Sequence, residues 1–258
     1  MHTEGYVAHE NTEASKVKLP EFMRENLLNA THDALTRLEE VYEGKDLFLY
    51  LEPGKHLSRL GIYTSETAKT SKDLVGPFET ELLQELVMDE DLNVMTVQFD
   101  DIGYDAKALT RTNSFSKMLK NRITTEVAAL LPFPQLKNAM YRKIGVGLPE
   151  TENKSTTVAP KVFIDYLNPN LIYVGPGSII GEGAKLQTHF FNPGTYIIGL
   201  IVIGDQSVVG GSTRLLPGSL CGAKSIIGSD STFTGYLPRG GKVAPRAFYD
   251  GFYATATV

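Results

Sequence analysis

The stretch Val174–Phe233, VGPGSIIGEGAKLQTHFFNPGTYIIGLIVIGDQSVVGGSTRLLPGSLCGAKSIIGSDSTF, keeps a six-residue beat. Apolar residues fall at Val174, Ile180 and Leu186, and after an interruption at Ile203, Val209, Leu215, Cys221, Ile227 and Phe233. A helix repeats at about 3.6 residues and a strand at about 2, so neither generates this spacing. A hexad made of one short strand and one corner does, and three hexads make one coil of a parallel β-helix. A second column keeps the same register. Ser178, Ala184, Ser207, Thr213, Ser219, Ser225 and Ser231 are all small and stand four places after a beat residue. A tight corner beside a large inward side chain leaves room for little else.

The interruption, Gln187 to Val202, opens with Gln187-Thr188-His189. A solenoid accommodates an insertion at a corner, where it is expected to project as a loop. His189 therefore stands at a loop root.

Two runs now carry a resemblance: PFPQLKNAMYRKIGVGL at 132–148 and VAPKVFIDYLNPNLIYVGPGSIIGEGAKLQTH at 158–189. Together they resemble the hexapeptide-repeat acyltransferases, in particular the maltose and galactoside O-acetyltransferase branch. The resemblance spans residues 132–238. It implies a left-handed parallel β-helix and acetyl-CoA as cosubstrate, with no metal required. It also implies direct attack by a small acceptor, a sugar being one candidate, without a covalent enzyme intermediate. His189, after Thr188, matches the family's histidine base, which suits proton abstraction near neutral pH.

Asp165, Asn168 and Asn170 match polar positions of the family. They are read as orienting the histidine or holding the acceptor, with plain turn hydrogen bonds as the alternative. Members commonly carry an acidic residue after the histidine, where this chain has Phe190. The family's Gly-x-Pro-Ala ending is replaced by Arg239-Gly240-Gly241-Lys242-Val243-Ala244-Pro245-Arg246. Arg239, Lys242 and Arg246 are expected on the coenzyme phosphates, a solvated basic turn being the alternative. Gly210-Gly211-Ser212 and Gly228-Ser229, one coil apart, are expected to line the pantetheine track, and their backbone donors could steady an oxyanion. A γ-class carbonic anhydrase shares such a prism but needs three histidines for zinc, and His189 is the last histidine of the chain after His56.

The whole chain of 258 residues, 42% hydrophobic and 21% charged, reads as a globular protein. A net charge of −5 gives no footprint for nucleic acid. One cysteine, Cys221, fits a reducing compartment and sits on the beat as a buried apolar residue rather than a catalytic thiol. No apolar signal region opens the chain, and the longest apolar run, Tyr196–Ile203, is too short for a bilayer; a cytoplasmic protein without membrane contact is expected.

Four segments follow: a tail at 1–16, an α+β module at 17–131, a connecting helix and cap at 132–157, and the β-helix with its C-terminal cap at 158–258. The module reads as helix (Phe22–Glu43), strand (Asp46–Glu52) closed by a Pro53-Gly54 turn, helix (Phe78–Met88) and strand (Leu92–Phe99). Helices are expected again at Ser114–Leu131 and Gln135–Lys143. The acidic run Asp89-Glu90-Asp91, the pair Asp100-Asp101, and His2, His9 and His56 are read as solvated rather than metal-binding. Phe248, Tyr249, Phe252 and Tyr253 are candidates to close the C-terminal end.

Val208 and Ile226 stack outward one coil apart, and Leu220 points outward on another face. Such a face needs cover. A homotrimer with sites between prisms is what the resemblance implies, and a fold-back of the N-terminal module is the competing idea. A non-catalytic β-helix scaffold is the alternative to the enzyme.

Overall fold

The structure, a computed structural model, describes residues 21–42, 47–53, 58–64, 74–77, 79–89, 92–98, 114–149, 155–192 and 195–251. The N-terminal region runs α1 (Glu21–Tyr42), β1 (Leu47–Pro53), β2 (Ser58–Thr64), β3 (Leu74–Pro77), α2 (Thr80–Asp89) and β4 (Leu92–Gln98). Two helices follow, α3 (Phe115–Leu130) and α4 (Pro134–Lys143). The module thus holds two strands, β2 and β3, beyond the helix–strand–helix–strand expectation. Gly54, Lys55, His56, Asp100, Asp101, the tail histidines, Phe252 and Tyr253 lie outside the described residues.

The hexads form a parallel β-helix with three faces. Face one stacks β7 (Ile172–Val174), β12 (Ile201–Ile203), β15 (Ser219–Cys221) and the end of β17 (Thr232–Leu237). Face two stacks β5 (Thr157–Val158), β8 (Ile179–Ile180), β13 (Val208–Val209), β16 (Ile226–Ile227) and β18 (Lys242–Val243). Face three stacks β6 (Phe163–Ile164), β9 (Lys185–Leu186), β14 (Arg214–Leu215), the start of β17, and β19 (Phe248–Gly251). Every beat residue from Val174 to Phe233 is buried in one core. The small column is mostly serine and threonine for a reason beyond size. Ser178, Ser207, Thr213, Ser219 and Ser231 each donate a hydroxyl proton to a carbonyl of a neighbouring coil, at Gly204, Gly222, Gly228, Phe233 and Ala244. Buried hydroxyls are thereby satisfied and coils are tied together.

Both ends of the prism are covered. At the N-terminal end α4 turns Lys137, Asn138 and Tyr141 inward. Lys137 Nζ donates to the Val158 carbonyl at 3.2 Å and Asn138 Nδ2 to the Thr156 carbonyl at 2.8 Å. At the other end Tyr249 stacks on Phe233, ring centroids 5.1 Å apart, whereas Phe248 is 72% exposed among the described residues.

The interruption is not a projecting loop. It folds as a hairpin of β10 (His189–Asn192) and β11 (Thr195–Gly199), and β11 pairs antiparallel with β4. The six-stranded sheet of the module therefore runs β10-β11-β4-β2-β1-β3, two strands of it lent by the solenoid. The signal was present in the sequence: apolar and aromatic runs flank Asn192-Pro193-Gly194, a turn-forming triplet.

The module packs on face one. Met23, Leu27 and Ala30 of α1, Leu49, Leu60 and Ile62 of the sheet, and Val202, Leu220 and Tyr236 of the prism share one buried cluster. Leu220, expected to face outward, is fully covered within its own chain. The module thus folds back over face one, and not over the Val208/Ile226 stripe that the fold-back idea was meant to cover. Face two is different: Ile179 and Ile226 remain 47% and 42% exposed, with Val208 between them.

Candidate active site

The corner from face three to face one gathers five of the residues singled out by sequence: Asp165, Asn168, Asn170, Thr188 and His189. Asp165 follows β6, and its own N–H is held by the Leu186 carbonyl one coil on, at 3.0 Å. Its side chain is fully buried and accepts three hydrogen bonds. Leu167 N–H donates to Oδ1 at 3.0 Å, Thr188 N–H to Oδ2 at 2.9 Å, and His189 Nδ1 lies 2.5 Å from Oδ2. The imidazole is 18% exposed while the carboxylate is sealed. Burial pushes the Asp165 carboxyl up; the His189 charge and hydrogen bond, with the Leu167 and Thr188 donors, outweigh it and hold the group below its ordinary value. An ionised carboxylate can only accept, so the Nδ1 that faces it carries a proton, and of the two neutral tautomers this favours the one with its lone pair on Nε2.

Thr188 is buried, and its hydroxyl donates to the Asn168 carbonyl at 3.4 Å. Asn168 Nδ2 in turn donates to Tyr196 Oη at 3.4 Å. Asn170 sits in the short 3-10 turn Pro169–Leu171, where its carbonyl accepts from Asn26 Nδ2 of α1 at 2.9 Å. The turn and the orienting readings coexist here: Asp165 makes a turn bond to Leu167 and also holds the ring. Tyr196 was not foreseen as part of this cluster.

The expected coenzyme residues lie elsewhere on the prism. Gly210-Gly211-Ser212 and Gly228-Ser229 stack at the corner between faces two and three, across face three from His189. A Cβ at Gly210 would come within 2.4 Å of Ser229 N, and one at Gly228 within 2.3 Å of Pro245 N, so coil stacking itself requires glycine there. The N–H groups of Gly210, Ser212 and Gly228 are taken by the carbonyls of Ile227, Glu182 and Val243, which leaves these three engaged rather than open to an oxyanion. Arg246 closes the same corner, bonded through its N–H to the Ser229 carbonyl. Lys242 stands on face two and Arg239 at the corner between faces one and two. The three basic residues are exposed and spread around the last coil rather than clustered. Among the described residues no group of three or more His, Cys, Asp and Glu is placed to hold a metal ion. None of the described helices is long and apolar enough to cross a membrane.

Over 130 residues the chain is 32% identical to "Putative acetyltransferase YvoF" of Bacillus subtilis (strain 168), covering 50% of the chain and 74% of that protein. The chain belongs to the hexapeptide-repeat acetyltransferases. A second relative of this acetyltransferase, "Putative acetyltransferase SAR0816" of Staphylococcus aureus (strain MRSA252), is 34% identical over 79 residues, and the match spans 47% of its length. No family model matches the chain. Among solved structures, a maltose O-acetyltransferase from Clostridium difficile 630 is 16% identical with a TM-score of 0.40, over 51% of this chain and 82% of that one. A hexapeptide-repeat acetyltransferase of Vibrio cholerae, VCA0836, solved with acetyl-CoA, is 15% identical with a TM-score of 0.37, over 58% and 87%.

Proposed function

We propose that this acetyltransferase moves an acetyl group from acetyl-CoA to a hydroxyl or amine of a small acceptor, a sugar among the candidates, with His189 as general base. The observation that carries the reading is the His189–Asp165 pair at the hairpin root. The acceptor gives its proton to Nε2, its oxygen or nitrogen attacks the thioester carbonyl, and collapse of the tetrahedral adduct expels the coenzyme thiolate. That thiolate then takes the proton back from the imidazolium. Asp165 stabilises the imidazolium and holds the tautomer, which general-base catalysis by histidine requires. Thr188, Asn168 and Asn170 shape the acceptor side of the corner.

The donor track along Gly210-Gly211-Ser212 and Gly228-Ser229, ending at Arg246, lies across face three from His189, with Lys242 and Arg239 as further phosphate contacts. A homotrimer with its active sites between neighbouring prisms would cover Ile179, Val208 and Ile226 of face two. Closed symmetry also covers that face without an open edge. We assign the protein to the cytoplasm on its lone buried thiol.

The test is His189→Ala in an acceptor screen with acetyl-CoA. Turnover should fall ~10²–10⁴-fold with coenzyme affinity unchanged, as for loss of a general base. Full activity in the variant would remove His189 from the role.

A further inference from the structure

The strand that carries His189 belongs to a sheet built mostly by the N-terminal module, while Asp165 belongs to the prism. The pair therefore straddles two structural units, and its geometry depends on how they are fastened. Tyr196 is among the side chains packed at the seam. Tyr196, on β11, is 1% exposed and lies in the cluster shared by module and prism. His189 stands opposite Ile198 across the hairpin, and Tyr196 is two residues from Ile198, so Tyr196 and the imidazole share one face of the sheet. Their ring centroids are 6.3 Å apart with planes tilted by 45°. The Tyr196 hydroxyl accepts from Asn168, three residues beyond Asp165 in the same turn. Asp165 thus holds the ring at Nδ1, and Tyr196 borders it from the neighbouring strand of the hairpin. A hydrogen bond at Nδ1 fixes one edge of an imidazole, and an aromatic neighbour packed in a rigid core limits the ring's tilt.

We propose that Tyr196 is a positioning residue, the contact through which the hairpin, anchored by β11 on strand β4 of the N-terminal module, holds the His189 ring in register with Asp165. The inference rests on the reading of His189 as the base, but it concerns ring geometry. It can therefore be tested without turnover.

The experiment uses the full chain labelled with ¹⁵N-histidine, the His189 signals being assigned by their loss in His189→Gln. In the wild type, His189 should show a single Nδ1–H tautomer and cross-relaxation between its ring protons and those of Tyr196. Tyr196→Phe, which keeps the ring, should preserve both the tautomer and the ring contact. Tyr196→Leu should give a mixture of tautomers at a temperature where circular dichroism shows the chain folded. A folded Tyr196→Leu with an unchanged single tautomer would overturn the proposal. Should that variant fail to fold, the wild-type ring contact decides: its absence overturns the proposal and its presence supports it. Failure of the reading of His189 as base would appear instead as unaltered turnover in His189→Ala and would leave these signals untouched.

Discussion

Replacing Asp165 by Asn changes one atom in a sealed pocket, and the pocket's bonding fixes the consequences. The carboxylate accepts from Leu167 N–H on one oxygen and from Thr188 N–H and His189 on the other. An amide offers one acceptor and one donor. If its NH₂ group replaces Oδ2, the Thr188 N–H loses its partner and the imidazole must flip to the tautomer whose Nδ1 accepts. If it replaces Oδ1, the Leu167 N–H is stranded instead. Either orientation leaves one buried backbone donor unsatisfied, which costs about 1–3 kcal/mol. Urea melts of wild type and Asp165→Asn should show that gap near pH 6.

The gap should also depend on pH in one direction. The folded Asp165 group lies below its ordinary value of 3.8, so its contribution is complete above that pH and is lost as pH falls through the folded value. The wild-type advantage should hold down to about pH 4 and shrink below it. A gap under about 0.5 kcal/mol at pH 6, or one that widens below pH 4, would refute the bonding scheme.

Face two offers a second check: Val208→Lys with Ile226→Lys should convert a trimer to a monomer near 28.3 kDa by light scattering, and a monomeric wild type would defeat the trimer. Cys221 is buried and burial pushes its thiol up, so a disulfide reagent should label it only after denaturant is added; rapid labelling of the native protein would contradict the packing. Arg246 shares the corner of the proposed coenzyme track and Arg239 does not. Arg246→Ala should therefore raise the KM for acetyl-CoA more than Arg239→Ala does, with little change for a truncated pantetheine thioester; equal effects would move the track elsewhere.

The prism was legible because its signal is local and redundant: each hexad repeats the same inward residue and the same small corner. The proposed base and its partner were legible as residues, His189 from the loop root after Thr188 and Asp165 from the family's entry segment. Their pairing was not, since the carboxylate comes from 24 positions upstream rather than from the residue after the histidine. The hairpin's destination was hidden for a different reason. Nothing in Thr195–Gly199 names Val94–Gln98 as its neighbour, because strand pairing over that span is decided by what else the sheet has left unpaired. Leu220 misled because an outward position on a prism is a surface only until another unit sits on it.

Strand β11 meets β4 across about a hundred residues of chain, whereas the solenoid coils pair with their immediate successors. Contacts that are close in sequence close cheaply, and solenoid repeats can nucleate and propagate; a distant pairing must wait for both partners. The chain should therefore assemble its coils before it sets the His189–Asp165 pair. Refolding followed by circular dichroism should recover β signal ahead of the His189 imidazole resonance, and simultaneous recovery would count against the order. A chain caught between the two steps would be an intact prism with no histidine in place, so catalysis would report on the last strand to dock.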